Sequence, residues 1–82
     1  MNLNDTPLAT AWRVTRVHSD SAHEARARQL EEIGFLPGEQ VSVMTLAQPG
    51  GDPLVVRVGL STFALRAAEA ACIEVQAAKP DA

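Results

Sequence analysis

Apolar side chains recur with two different periods between Ala11 and Val75, and the changes of period divide the chain. Ala11 to Val17, AWRVTRV, mixes β-branched and aromatic residues with Arg and Thr, which suits a half-buried first strand. The period then lengthens. Ser21 followed by Glu24 is a capping-box pattern, in which each side chain meets the other residue's free backbone N–H, so a helix is predicted from Ala22. Ala27, Leu30 and then Ile33 or Phe35 line one face of that helix, while Glu24, Arg28 and Glu32 fall on its wet face at helical spacing. Gly34 is placed to end the helix in a left-handed C′ conformation, with Phe35 folding back on Leu30. Leu36-Pro37-Gly38-Glu39 then supplies a fixed φ and a positive φ in the order that a type II turn requires.

Period two resumes after that turn. Gln40 to Leu46 reads as a second strand with Val41 and Val43 pointing inward, and the run AQPGGDP turns the chain into a third, LVVRV. There Leu54, Val56 and Val58 share one face, and Val55 and Arg57 take the other. Gly59 to Thr62 is a short connection, read as a hairpin, into a strand around Phe63 to Arg66. RAAEAA has helix-forming residues for a single turn only, of α or 3₁₀ type, before CIEV closes the sheet with Ile73 and Val75. Residues 76–82 are expected to fray. Five short strands and one inserted helix, joined by tight turns, make a mainly β fold: a small, partly open, five-stranded barrel of the SH3-like kind, with a helical turn before its last strand.

Composition narrows the function. The 82 residues hold 46% hydrophobic positions, but fourteen of these are Ala and only three side chains are aromatic, so a single domain over 1–82 is expected, with its barrel at about 11–75 and no large catalytic cleft. A net charge of −3 with scattered basic residues gives no reason to approach nucleic acid. The single cysteine, Cys72, excludes an internal disulfide and fits a reducing, cytoplasmic setting. No apolar run approaches the roughly 20 residues that span a bilayer, so a membrane connection is expected only through a partner.

Three ordered motifs carry a resemblance. LEEIGFLPGEQVSV, then QPGGDPLVVRVG, then FALRAAEAACIEV together resemble the FeoA family of bacterial ferrous iron transport proteins, from about Ala11 to Val75. The resemblance implies a cytoplasmic, non-enzymatic SH3-like accessory protein that binds the cytoplasmic part of the FeoB transporter and modulates Fe²⁺ uptake. The motif corners then become the candidate partner surface: Leu30, Phe35 and Leu36 at one end, and Leu65, Arg66 and Glu69 at the other. For Leu30 and Phe35 a core role is the stronger reading than contact. A similar SH3-like domain is appended to some iron- and manganese-dependent repressors, but this chain carries no helix-turn-helix reader.

Two other classes stay open on the residues. His18, Asp20, His23 and Glu24 place two imidazoles and two carboxylates around a strand-to-helix junction, a donor set suited to Fe²⁺ or Zn²⁺ and to a metal-responsive sensor. Their spacing matches no strong metal motif, ordinary solvation is the plainer reading, and no cofactor is required. An exposed barrel edge would instead suit a homo-oligomeric scaffold. Cys72 lacks a cationic activator in sequence, and Gly50-Gly51-Asp52-Pro53 lacks the Lys of a P-loop, so neither implies catalysis. With no Tyr, the chain also lacks the aromatic groove that grips Pro-rich peptides.

Overall fold

The computed structural model describes residues 1–18, 24–47 and 50–78. Its strands are β1 (Trp12–Val17), β2 (Gln40–Leu46), β3 (Leu54–Val58), β4 (Ser61–Leu65) and β5 (Ile73–Ala77), with helix α1 (Glu24–Ile33) between β1 and β2 and the short α2 (Ala67–Ala70) before β5. All neighbours are antiparallel in the order β4-β3-β2-β1-β5, an open five-stranded sheet that matches the expected mainly β, SH3-like architecture.

The helix stops where the sequence says it should. Gly34 has φ 125°, its N–H donates to Glu31 O at 3.1 Å, and the Phe35 N–H donates to Leu30 O at 3.1 Å. These are the paired bonds of a Schellman end, which satisfy carbonyls that the helix leaves over. Gly38, at φ 94°, completes the following turn, and Glu39 N–H closes it onto Leu36 O at 3.0 Å. That turn also extends the short β1–β2 join, because Val14 N–H reaches Glu39 O at 2.9 Å and Gly38 N–H reaches Val14 O at 2.8 Å.

The core follows the alternation. Val41, Val43, Leu54, Val56, Val58, Leu65, Val14, Ile73 and Val75 are buried from the sheet, and Leu30 and Phe35 cover them from the helix and its end. Two bulges adjust the alternation. Between Val43 and Thr45 the β2–β3 register slips, which leaves Met44 exposed, and between Val14 and Arg16 the β1–β5 register slips, with Thr15 Oγ1 donating to Glu74 O at 3.0 Å.

Four local expectations differ from the structure and a fifth falls outside the described residues. Ser61 and Thr62, expected in the connection, belong to β4. Ser21 and Ala22, where a helix start was expected, lie outside the described residues, and α1 runs from Glu24. Arg66 is not in the fourth strand, which ends at Leu65; it precedes α2, and α2 is α-helical, because Ala70 N–H returns to Arg66 O at 3.0 Å. Gln76 and Ala77, expected to fray, pair with Arg13 and Trp12. The segment before Ala11 is also packed: Leu3 is buried in a 3₁₀ turn (Leu3–Asp5) against α2 and β5, and Thr6 Oγ1 donates to Leu3 O at 2.9 Å.

Candidate functional site

The helix-to-turn corner divides into a buried and an exposed part. Leu30 and Phe35 are buried, and the Phe35 ring lies tilted against Phe63 with centroids 6.4 Å apart. Leu36, one residue on, is 46% exposed because the chain has already begun to reverse. Its neighbour across the same end of the sheet is the two-residue β3–β4 turn, Gly59-Leu60. Gly59 N–H donates to Gln40 O at 3.4 Å, and a Cβ at Gly59 would lie 4.0 Å from Glu39 Oε2. Leu60 at that turn is 95% exposed. A large apolar side chain so fully in water carries no packing role, and with Leu36, whose turn runs into Glu39 and Gln40 beside Gly59, it leaves two exposed leucines at this end of the sheet. Sequence reasoning missed Leu60; its signal was a Leu where two-residue turns usually carry polar residues.

The second corner is a structural joint between two of the sequence motifs. Asp52 Oδ1 accepts from Ala67 N–H at 3.0 Å, and Glu69 Oε1 accepts from Arg66 N–H at 2.8 Å. Both carboxylates therefore satisfy amides at the start of α2, where no helical carbonyl is available. Leu65 is buried opposite Leu54, and Arg66 alone of the second trio has an exposed side chain. Glu69 bonds the Arg66 backbone, and no ion pair of the Arg66 guanidinium is found among the described residues.

The candidate metal set is only partly within the described residues. Asp20 and His23 lie outside them, and Glu24 opens α1 on its exposed side. His18 Nε2 sits 2.6 Å from Glu74 Oε2, and the same oxygen receives Arg16 Nε at 2.9 Å. Strand geometry makes this cluster: Arg16 and His18 share a face of β1 and its continuation, and Arg16 pairs directly with Glu74 in β5. The Arg16 hydrogen bond, opposed by desolvation and helped by His18, holds the Glu74 carboxyl below the usual glutamate range. No three His, Cys, Asp or Glu side chains converge on a metal position among the described residues. His18 and Glu74 supply two donors, fewer than the four of a closed structural zinc site. Cys72 is half-buried, its thiol donating to Ala68 O at 3.4 Å and its carbonyl accepting His18 N–H at 2.7 Å.

Fold and surface together define a small SH3-like domain with two exposed leucines at one end, a carboxylate-capped turn and no cluster of three metal-ligating side chains among the described residues. No described helix is long and apolar enough to cross a membrane. The FeoA domain family profile matches residues 1–77, and the chain belongs to that family. Among solved structures it is similar to the zinc complex of Stenotrophomonas maltophilia FeoA, described as an SH3-domain protein and a suggested bacterial ferrous iron transport activating factor. The two share 42% identity over 93% of this chain and 89% of that one, with a TM-score of 0.83. Chlorobium tepidum FeoA is 29% identical over 100% of this chain and 74% of its own, with a TM-score of 0.81. The manganese regulator SloR shares the fold alone, at 13% identity and a TM-score of 0.71, with 34% of that chain covered.

Proposed function

We propose that this protein is a non-enzymatic accessory factor of ferrous iron uptake, which binds the cytoplasmic part of the FeoB transporter and changes its activity by favouring one of its conformations. The observation that carries the reading is family membership across residues 1–77, together with a relative described as a transport activating factor. The surface we assign to the contact is the apolar tip, Leu36 with Leu60, and Arg66 at the second corner. Leu30, Phe35, Leu65 and Glu69 act behind it by holding the two corners in shape. A modulator must bind transporter states unequally, since equal affinity anchors without shifting populations. Titration calorimetry of the purified protein against the soluble part of its own organism's FeoB, with and without guanine nucleotide, tests this. Saturable binding whose affinity changes with nucleotide supports the proposal, and binding indifferent to nucleotide removes the regulatory half of it.

A metal-responsive role is the second reading, favoured by the zinc complex of the Stenotrophomonas relative and by the adjacent His18 and Glu74 donors. Further ligands would have to come from Asp20, His23, Glu24 or another molecule. Stoichiometric Fe²⁺ or Zn²⁺ binding that survives His18→Ala and His23→Ala would sink it.

A further inference from the structure

The two edges of the open sheet are treated differently. The β5 edge is covered by the first residues of the chain, where Val75 N–H donates to Met1 O at 2.8 Å and Asn2 bridges to Glu74. The β4 edge has no such cover among the described residues, for β4 pairs with β3 alone. Its register shows which groups are left over. Val58 and Ser61 close a two-residue turn and so exchange both main-chain bonds. Alternation from that pair directs the N–H and C=O of Thr62 and Ala64 away from β3, toward open solvent.

Exposed edges are normally protected by a charge, a proline or a bulge. β4 is Ser-Thr-Phe-Ala-Leu, with an uninterrupted register and none of those devices. Thr62 and Ala64 are exposed and small, and Phe63 is only half-buried at the rim of the core.

We propose that the β4 edge is a self-association surface, to which β4 of a second copy of this chain adds antiparallel about a two-fold axis at Phe63. The outward groups select that register: Thr62 faces Ala64 of the second copy and exchanges both main-chain bonds with it, the symmetric pair does the same, and the two Phe63 residues meet at the closely spaced position between them. No charged side chain lies within β4 to be set against its own copy. An unrelated strand would find only the main-chain bonds, whereas a second copy also brings a neutral strand and a matching ring, the self-complementarity that a two-fold interface needs. Five residues a side make a small contact, so the association is weak and concentration-dependent.

The test is sedimentation equilibrium in EDTA, which removes metal-bridged assembly, up to about 1 mM protein, a concentration range suited to weak interfaces. Three proteins are compared: wild type, Thr62→Lys/Ala64→Lys, and Thr62→Glu/Ala64→Glu. Wild type is expected to rise from 8.7 kDa toward twice that mass. Each double variant places like charges directly opposite and is expected to dissociate at least about 10-fold more readily, while an equimolar mixture of the two recovers the dimer. In wild type alone, exchange of the Thr62 and Ala64 amides is expected to slow as concentration rises, a readout independent of any variant. A wild type that stays monomeric throughout overturns the proposal. So does a dimer that both variants retain, or slow amides that ignore concentration.

Discussion

Removing the Asp52 carboxylate, itself outside the core, should loosen α2, which carries the buried Ala70. Asp52 Oδ1 accepts the Ala67 N–H at 3.0 Å from a loop fifteen positions earlier, and α2 has only four residues, too few to stand without outside help. Losing an N-terminal cap costs about 1 kcal/mol, within a range of roughly 0.5–2. For a domain of this size that corresponds to a fall in Tm of about 4–8 °C per kcal/mol. Asp52→Ala measured by urea titration and by thermal melting should show this loss, while Asp52→Asn, which keeps an acceptor oxygen, should lose less. The control is Ala67→Pro. Proline is tolerated at the first helical position and removes the donor, so Asp52→Ala made in that background should cost almost nothing further. A full loss in both backgrounds would show that Asp52 acts through something other than this bond, and the view of the two motifs as one joint would fail.

Other consequences follow from single residues. Leu36→Ser and Leu60→Ser should leave stability within about 0.5 kcal/mol of wild type, as exposed substitutions do, yet weaken binding to the cytoplasmic part of FeoB, by about threefold or more for the half-buried Leu36 and about tenfold or more for Leu60, if both are buried in the contact; unchanged calorimetric affinity would move the contact elsewhere. Gly34→Ala should cost about 1–2 kcal/mol for backbone held at positive φ, with no added clash, because the new Cβ would meet Val58 at an ordinary 3.8 Å; denaturant midpoints within error of wild type would contradict the helix end described here. The lowered pKa of Glu74, caused first by the Arg16 hydrogen bond, means that its contribution to stability is present above the unfolded glutamate value of about 4.3 and is lost as pH falls through the lower folded value. Glu74→Gln should therefore flatten the acid limb of Tm against pH, and an unaltered limb would assign it to other carboxylates.

Local chemistry was readable from the sequence and distant pairing was not. Gly34, Pro37 and Gly38 announce a helix end and a turn because the backbone states they adopt depend on the residues themselves, and β2 and β3 fall on the predicted residues because their alternation is uninterrupted at the ends. Met44 shows the limit, since a bulge is a property of two strands and not of one. Leu3 shows it again: a lone leucine amid polar residues has no period, and its burial comes from α2 and β5, which lie some seventy positions away. At the candidate site the motif residues were visible, but their division into packed and exposed members was not. Leu30 and Leu65 lie beneath the surface, Asp52 and Glu69 are engaged with amides, and Glu74 joins Arg16 and His18 only through the β1–β5 register. Asp20, His23 and the expected Ser21 cap lie outside the described residues.

The size of the exposed tip bounds what this protein can do to a transporter. Moving a two-state equilibrium from 1:99 to 99:1 requires a difference in binding of about 5.5 kcal/mol between the states. Fully burying an exposed leucine contributes about 1.5–3 kcal/mol. Leu60 is 95% exposed but Leu36 only 46%, so together they supply at most about 2–4 kcal/mol, short of a full switch, and only if one state buries both and the other buries neither. A tip that engages both states partially would bias the transporter by a few-fold rather than switch it. Arg66 changes the estimate little while it remains at a wet rim, where ion pairs contribute below about 1 kcal/mol. On these magnitudes a single copy acts as a strong modulator only through an all-or-none pocket for the two leucines. Weak self-association at β4 would raise occupancy on neighbouring transporters through effective concentration, but the shift of each transporter would still be set by the differential affinity of the one tip it binds.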